Sequence, residues 1–144
     1  MRTDNIEPKY LLCTLITQAA RKIVSHYNRE FAPLGLTAQQ IMALGVVTSE
    51  NGVNLGEFAK RLKLGKPAAG TMIDRLEALG FVTKESDPVD ARLKIIKPTD
   101  MAKKIHSEIH QKSAELESDL ESHMGASNLE ALISQLSSVL AIEL

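Results

Sequence analysis

The sequence predicts a mainly α-helical fold with a small β-hairpin. A winged helix-turn-helix spans residues 37–98, and N- and C-terminal helices, residues 1–36 and 99–144, form a dimerisation region. Three observations predict it. Apolar residues recur at i, i+3, i+4 and i+7 toward both ends of the chain, the signature of one helix face. Two short helical stretches meet at a turn containing Gly65, as in a helix-turn-helix. After Gly80 the apolar period shortens from that of a helix to that of a strand.

Residues 8–32 place Leu12, Leu15, Ile16, Ala19, Ala20, Ile23, Val24, Tyr27 and Phe31 on one stripe of a long helix, which Pro33 and Gly35 end. "TAQQ" offers a capping box, with Thr37 as cap and Gln40 three positions on. It opens a helix carrying Ile41, Leu44, Val46 and Val47 that stops near the Asn51-Gly52 turn. From Asn54, "NLGEFAKRLKL" reads as a short helix with Leu55, Phe58, Ala59 and Leu62 inward and Gly65 as its breaker.

The next helix starts at Pro67, which suits a first helical position because its missing N–H has no partner there. It runs through Met72, Ile73, Leu76 and Leu79 to Gly80 as C-cap. "FVTKE", the polar turn "SDPVD" and "RLKIIK" make a two-stranded hairpin over 81–97. Pro98 and Thr99 lead into a long helix with Met101, Ile105, Ile109, Leu116, Leu120 and Met124 on one stripe. A break at Gly125–Asn128 precedes a last helix with Leu129, Leu132, Ile133, Leu136, Val139 and Leu140. The terminal stripes are far apart in sequence, with the winged-helix core between them. Two-fold pairing of two chains is the economical way to cover them, so a homodimer is expected.

The net charge of −1 hides an asymmetry: the balance is +1 over residues 1–54, +4 over 55–104 and −6 over 105–144. A basic middle between acidic or neutral ends fits a phosphate-facing module. The single cysteine, Cys13, excludes an internal disulfide and suits a reducing compartment. The apolar run Tyr10 to Ile16 is too short for a membrane span and lacks a cleavage site, so a cytoplasmic protein with no membrane partner is expected.

The helix from Pro67 to Leu79 has 13 residues, about 20 Å at about 1.5 Å per residue. The major groove is about 12 Å wide, so one end of the helix fits into it. Its expected surface positions are Lys66, Ala68, Ala69, Thr71 and Arg75. Lys66 reaches a phosphate or guanine, Thr71 a base edge or phosphate, and the alanines thymine methyls. Lys60, Arg61 and Lys63 add positive charge on the preceding helix and turn, and Lys94 adds it on the wing. Arg92, just inside the hairpin tip, is placed to enter the narrow minor groove, whose negative potential attracts guanidinium. Asp90, two residues earlier, is placed to fix the loop through backbone N–H groups and to aim Arg92.

Residues 62–104 resemble the winged-helix core of the MarR family, whose pattern runs through "DRLE-x-x-G-φ-V", then "D-x-R", then "L-T-x-x-G". Asp74, Arg75, Leu76, Glu77, Gly80, Val82, Asp90, Arg92 and Thr99 match it, while Pro98 and Ala102 stand in place of the leucine and glycine after the wing. The resemblance implies a homodimeric bacterial transcription regulator, and a repressor is expected. It implies a pseudo-palindromic double-stranded DNA operator and release by a small aromatic or amphipathic effector bound between the dimer helices and the DNA-binding domain. Lys84 resembles a position that holds a ligand carboxylate, and Gly70 joins it as a candidate ligand residue. Cys13 with Tyr27 resembles the peroxide-sensing branch, although Thr17 and Ala38 stand where that branch has further tyrosines. His106 and His110 are one helical turn apart, as in zinc-responsive members, but Ala38, Gln39 and Gln40 occupy the positions of the other ligands. No metal or other cofactor is therefore expected. Nor is an enzyme, because no catalytic triad order, phosphate-cradling glycine loop or closed metal set is present. The rival from another class is a winged helix used for protein–protein interaction.

Overall fold

The computed structural model describes residues 7–144, so the first six residues of the 1–36 region lie outside it. Two compact units follow one another along the chain, residues 1–104 and 105–144. In the first, α1 (Pro8–Phe31) leads through a 3-10 turn to α2 (Ala38–Ser49), β1 (Val53–Asn54), α3 (Leu55–Arg61), α4 (Lys66–Ala78), β2 (Val82–Ser86) and β3 (Lys94–Pro98). α5 (Asp100–Met124) begins in the first unit, and α6 (Ala126–Leu140) follows it in the second.

Local chemistry places the helix ends. The capping box at α2 is complete: Gln40 N–H donates to Thr37 Oγ1 at 3.3 Å and Thr37 N–H to Gln40 Oε1 at 2.9 Å. Asn28 of α1 adds a cap from outside, accepting from Ala38 N–H at 2.7 Å. Asn54 Oδ1 accepts from Glu57 N–H at 2.8 Å and opens α3. α4 ends in a Schellman turn, with Gly80 N–H on the Glu77 carbonyl, Phe81 N–H on that of Leu76 and Gly80 at φ +83°.

The same hydrogen-bond pattern ends α3, but there the left-handed residue is Lys63, at φ +55°. Gly65, the expected breaker, instead sits at φ −66° as the N-cap of α4. The turn is thus not built on its glycine. A second departure is the sheet, which has three antiparallel strands in the order β1-β3-β2. β1 has only two residues, too few to show an alternating period. It pairs Val53 with Ile96, while β2 pairs Val82 with Pro98 through Ser86 with Lys94.

Phe31, Leu44, Val47, Phe58, Ile73, Leu76, Val82 and Ile96 are fully buried and form the core of the first unit. Leu79, the C-cap residue of α4, is 42% exposed. Thr99 ties the end of the wing to the end of α4. Its hydroxyl donates to the Gly80 carbonyl at 2.6 Å and accepts from Ala102 N–H at 3.3 Å. In the second unit, Gly125 at φ +88° separates α5 from α6, and the break is this one residue rather than Gly125–Asn128. Leu129 is the one buried residue among the described residues of α6, while Leu132, Ile133, Leu136, Val139 and Leu140 are exposed. No single helix among the described residues is long and apolar enough to cross a membrane.

Candidate nucleic-acid interface

α4 buries Ala69, Ile73 and Leu76, a spacing of four and three residues that keeps them on one face. Lys66, Ala68, Thr71, Asp74 and Arg75 are left exposed. The structure therefore corrects one residue of the expected surface: Ala69 is 0% exposed. Its Cβ lies on the inward stripe that begins the Ala69-Ile73-Leu76 series, so it has no path to a thymine methyl. Gly70, beside it, is half-buried, with nothing within 4 Å of a Cβ built there. The Thr71 hydroxyl donates to the Pro67 carbonyl at 3.0 Å, which leaves its oxygen lone pairs as acceptors.

Three hollows bring the exposed candidates together. One of about 270 Å³ is lined by Lys66 of α4 and by Arg92, Leu93 and Lys94 of the wing, against Asn54, Leu55 and Gly56 at the start of α3. Three cations thus share one groove. A second, of about 340 Å³, lies between α2 and α4, with Ala68, Thr71 and Arg75 beside Gln39, Met42, Leu62, Leu64 and Met72. The third, of about 280 Å³, joins Val24 and Asn28 of α1 to Gln39, Gln40, Met72 and Arg75. Gln39 and Met42 escaped the sequence reading because exposed polar and apolar residues in the first turns of a helix carry no periodic signal.

The wing loop is built on two aspartates. Asp87 Oδ1 accepts from Val89 N–H at 2.7 Å and Asp90 N–H at 3.2 Å. Asp90 then accepts from the Arg92 backbone N–H at 3.1 Å, from Arg92 Nε at 3.0 Å and from Nη2 at 3.1 Å. This is the bidentate fork expected of guanidinium and carboxylate. The hydrogen bonds from the Arg92 side chain, and then from its backbone, hold the Asp90 carboxyl below its ordinary range. The Arg92 side chain is 91% exposed, so Asp90 fixes the base of the guanidinium while leaving it open to solvent. Asp87 was missed, although the Asp-Pro step that opens the turn was its signal.

Other expected residues are held elsewhere. The Lys84 ammonium is 2.7 Å from Asp74 Oδ1 and 3.4 Å from Glu77 Oε1, and the hydrogen bond to Asp74 above all raises its pKa. Lys84 and Gly70 line none of the three hollows. Arg61 pairs with Glu50 at 2.6 Å and Glu57 at 3.1 Å, so its charge joins α3 to the end of α2. Lys63 is exposed in its turn. Cys13 is exposed on α1, and Tyr27 stacks on Phe31 with centroids 5.9 Å apart. Within one chain the backbone positions of Cys13 and Tyr27 are about 21 Å apart along the helix axis, at about 1.5 Å per residue.

A helix-turn-helix whose second helix exposes Lys66, Thr71 and Arg75, followed by a hairpin tipped with Arg92, defines a winged helix-turn-helix protein. A model of the MarR family matches residues 34–93. MarR from E. coli, as a cysteine-to-serine variant complexed with operator DNA, superposes with a TM-score of 0.85 at 27% identity, covering 96% of this chain and 99% of that one. The transcriptional repressor CouR, bound to a 23-mer DNA duplex, gives 0.87 at 26% identity, covering 97% and 99%. Two Bacillus subtilis proteins described as uncharacterized HTH-type transcriptional regulators are also similar. YybA is 31% identical over 91 residues, 63% of this chain, and the chain spans 61% of YybA. YcgE is 28% identical over 119 residues, 83% of this chain and 77% of YcgE. Over residues 34–93 the chain is similar to the MarR family, and it shares the fold of the solved MarR and CouR structures.

Proposed function

We propose that the chain is a DNA-binding transcriptional regulator, a repressor that acts as a homodimer on a pseudo-palindromic operator and is released by a small-molecule effector. The observation that carries this reading is the convergence of Lys66, Arg92 and Lys94 on one groove, beside the exposed Thr71 and Arg75 of α4. Cations so placed face phosphates, while a helix and a wing on the same side address two grooves of one duplex. The DNA-bound states of MarR and CouR support it. DNA as the target makes the cytoplasm its place of work. Arg75, Thr71 and Lys66 serve the major groove, Arg92 the minor groove aimed by Asp90, and Lys63 and Lys94 the flanking phosphates.

The dimer is supported by the apolar side chains left uncovered on α1 and α6, among them Leu12, Leu15, Ile16, Leu136 and Leu140. A second copy of the chain covers them, with residues 1–36 and 99–144 as the dimerisation region. The effector reading rests on the hollow between α1, α2 and α4, where Val24 and Met72 offer apolar walls and Arg75 a cation. Such a lining suits a small aromatic or amphipathic acid. Binding there at Arg75 competes with DNA for the same guanidinium.

The test is fluorescence anisotropy with labelled DNA from upstream of the chain's own gene, read between 50 and 200 mM salt. Affinity is expected to fall steeply over that range, as counterion release requires. Arg92→Ala is expected to cost about tenfold. Binding that ignores salt and Arg92 would point instead to a winged helix that recognises protein.

A further inference from the structure

Resting on the DNA-binding reading above, we propose that Lys84 is a positioning residue. By tying β2 to α4 through Asp74 and Glu77, it sets the angle from which the wing brings Arg92 to the duplex. β2 has one buried residue, Val82 at its start, and the four that follow are exposed. β2 therefore leans on the core at its start only. Lys84 lies opposite Ile96 in the sheet register, and Ile96 is the buried residue of β3. Lys84 thus stands near the outer limit of the part of the wing that the sheet holds, one level before Ile95, which pairs with both Glu85 and Asn54 of β1. Beyond it stand Glu85, Ser86 and the 87–93 loop that carries Arg92.

A hairpin anchored at one end behaves as a lever. From Lys84 to the start of the loop is about 10 Å at about 3.3 Å per residue, so a small rotation at Lys84 becomes a displacement of ångströms at the guanidinium. Among the described residues, the ion pairs that join β2 to α4 are those of Lys84. Asp74 and Glu77 are three apart and so lie on one face of α4, and between them in sequence is Arg75. One ammonium therefore restrains the wing and also pairs with two carboxylates on the helix that carries Arg75. The hydrogen bond to Asp74 raises the Lys84 pKa, so the ammonium stays charged across the working pH range.

Exposed ion pairs add little to global stability, so Lys84→Met is expected to leave the melting midpoint within about 3 °C of wild type. Its effect should appear in binding. The measurement is a double-mutant cycle on the duplex that the wild-type chain selects from a random pool, with Arg92→Ala, Lys84→Met and both together. In the wild-type background Arg92→Ala should lose about tenfold in affinity, and in the Lys84→Met background less than about threefold, because the arginine is no longer delivered to its groove. Lys84→Arg, whose guanidinium reaches the same carboxylates, should restore the full Arg92 effect.

Equal losses in both backgrounds, with a salt slope lowered by about one in Lys84→Met, would make Lys84 an independent phosphate contact and overturn the proposal. If Lys84→Met melts well below wild type, Asp74→Asn removes the nearer partner's charge and is read in the same cycle. An undiminished Arg92 effect there also overturns it. Failure of the underlying reading looks different: no duplex is selected, or Arg92→Ala is silent in every background, and the positioning role then falls with it.

Discussion

α2 and α6 are both apolar helices, of 12 and 15 residues, yet α2 buries Ala38, Gln40, Ile41, Ala43, Leu44 and Val47 while α6 buries Leu129 alone. α1 behaves like α6, burying only Phe31 among 24 residues. The difference lies in how the apolar side chains are distributed. Those of α2 surround the helix, which is the mark of an element enclosed by its own chain. Those of α1 and α6 form stripes, and a stripe states that one face needs cover without stating what provides it. The winged helix-turn-helix is thus closed within one chain, whereas the stripes of the terminal helices stay uncovered in it, and the proposed homodimer places a second copy there.

The comparison breaks most visibly at the core. Phe58 is 0% exposed, and Phe58→Ala is expected to cost about 3–5 kcal/mol through lost transfer energy and the cavity left behind. Thermal unfolding at several protein concentrations checks that the penalty is the same at each, as a defect inside one chain requires. Leu136→Glu should do the opposite. In wild type, pairing adds about 1.4 kcal/mol of apparent stability for each tenfold rise in concentration. The variant should lose this dependence and run as a monomer by light scattering while keeping a folded winged helix. A wild-type midpoint that does not move with concentration would show that α6 is not a pairing face.

Why some of this was legible in the sequence, and some not, follows from the range of the interactions. Local chemistry reads well: Thr37 with Gln40, Gly80 and Asn54 each act within about one helical turn, and the Asp90-Arg92 fork spans two residues. Features decided by distant partners do not. β1 exists because Val53 meets Ile96, which stands 43 residues later. The Lys84 ammonium is claimed by carboxylates on the preceding helix, although its sequence neighbourhood shows only an alternating strand. Ala69 was misplaced for a different reason. Two adjacent alanines at the start of α4 offer no contrast in polarity, so only the register fixed by Ile73 and Leu76 decides which of them turns inward.

The smallest expected effect falls at the turn between α3 and α4, where folding and binding ask for different residues. Lys63 adopts φ +55°, a conformation that costs an ordinary residue roughly 1–2 kcal/mol. Glycine pays no such steric penalty, but it loses about 0.5–1 kcal/mol more backbone entropy on folding. Lys63→Gly should therefore stabilise the chain by about 0.5 kcal/mol, a rise in melting midpoint of about 2 °C. If Lys63 also faces a phosphate, the same variant should bind DNA a few-fold more weakly, with a salt slope reduced by about one. A gain in stability joined to a loss in affinity would explain why a lysine occupies a position that glycine fits better. A gain in stability with unchanged binding would remove Lys63 from the interface and confine the positive groove to Lys66, Arg92 and Lys94.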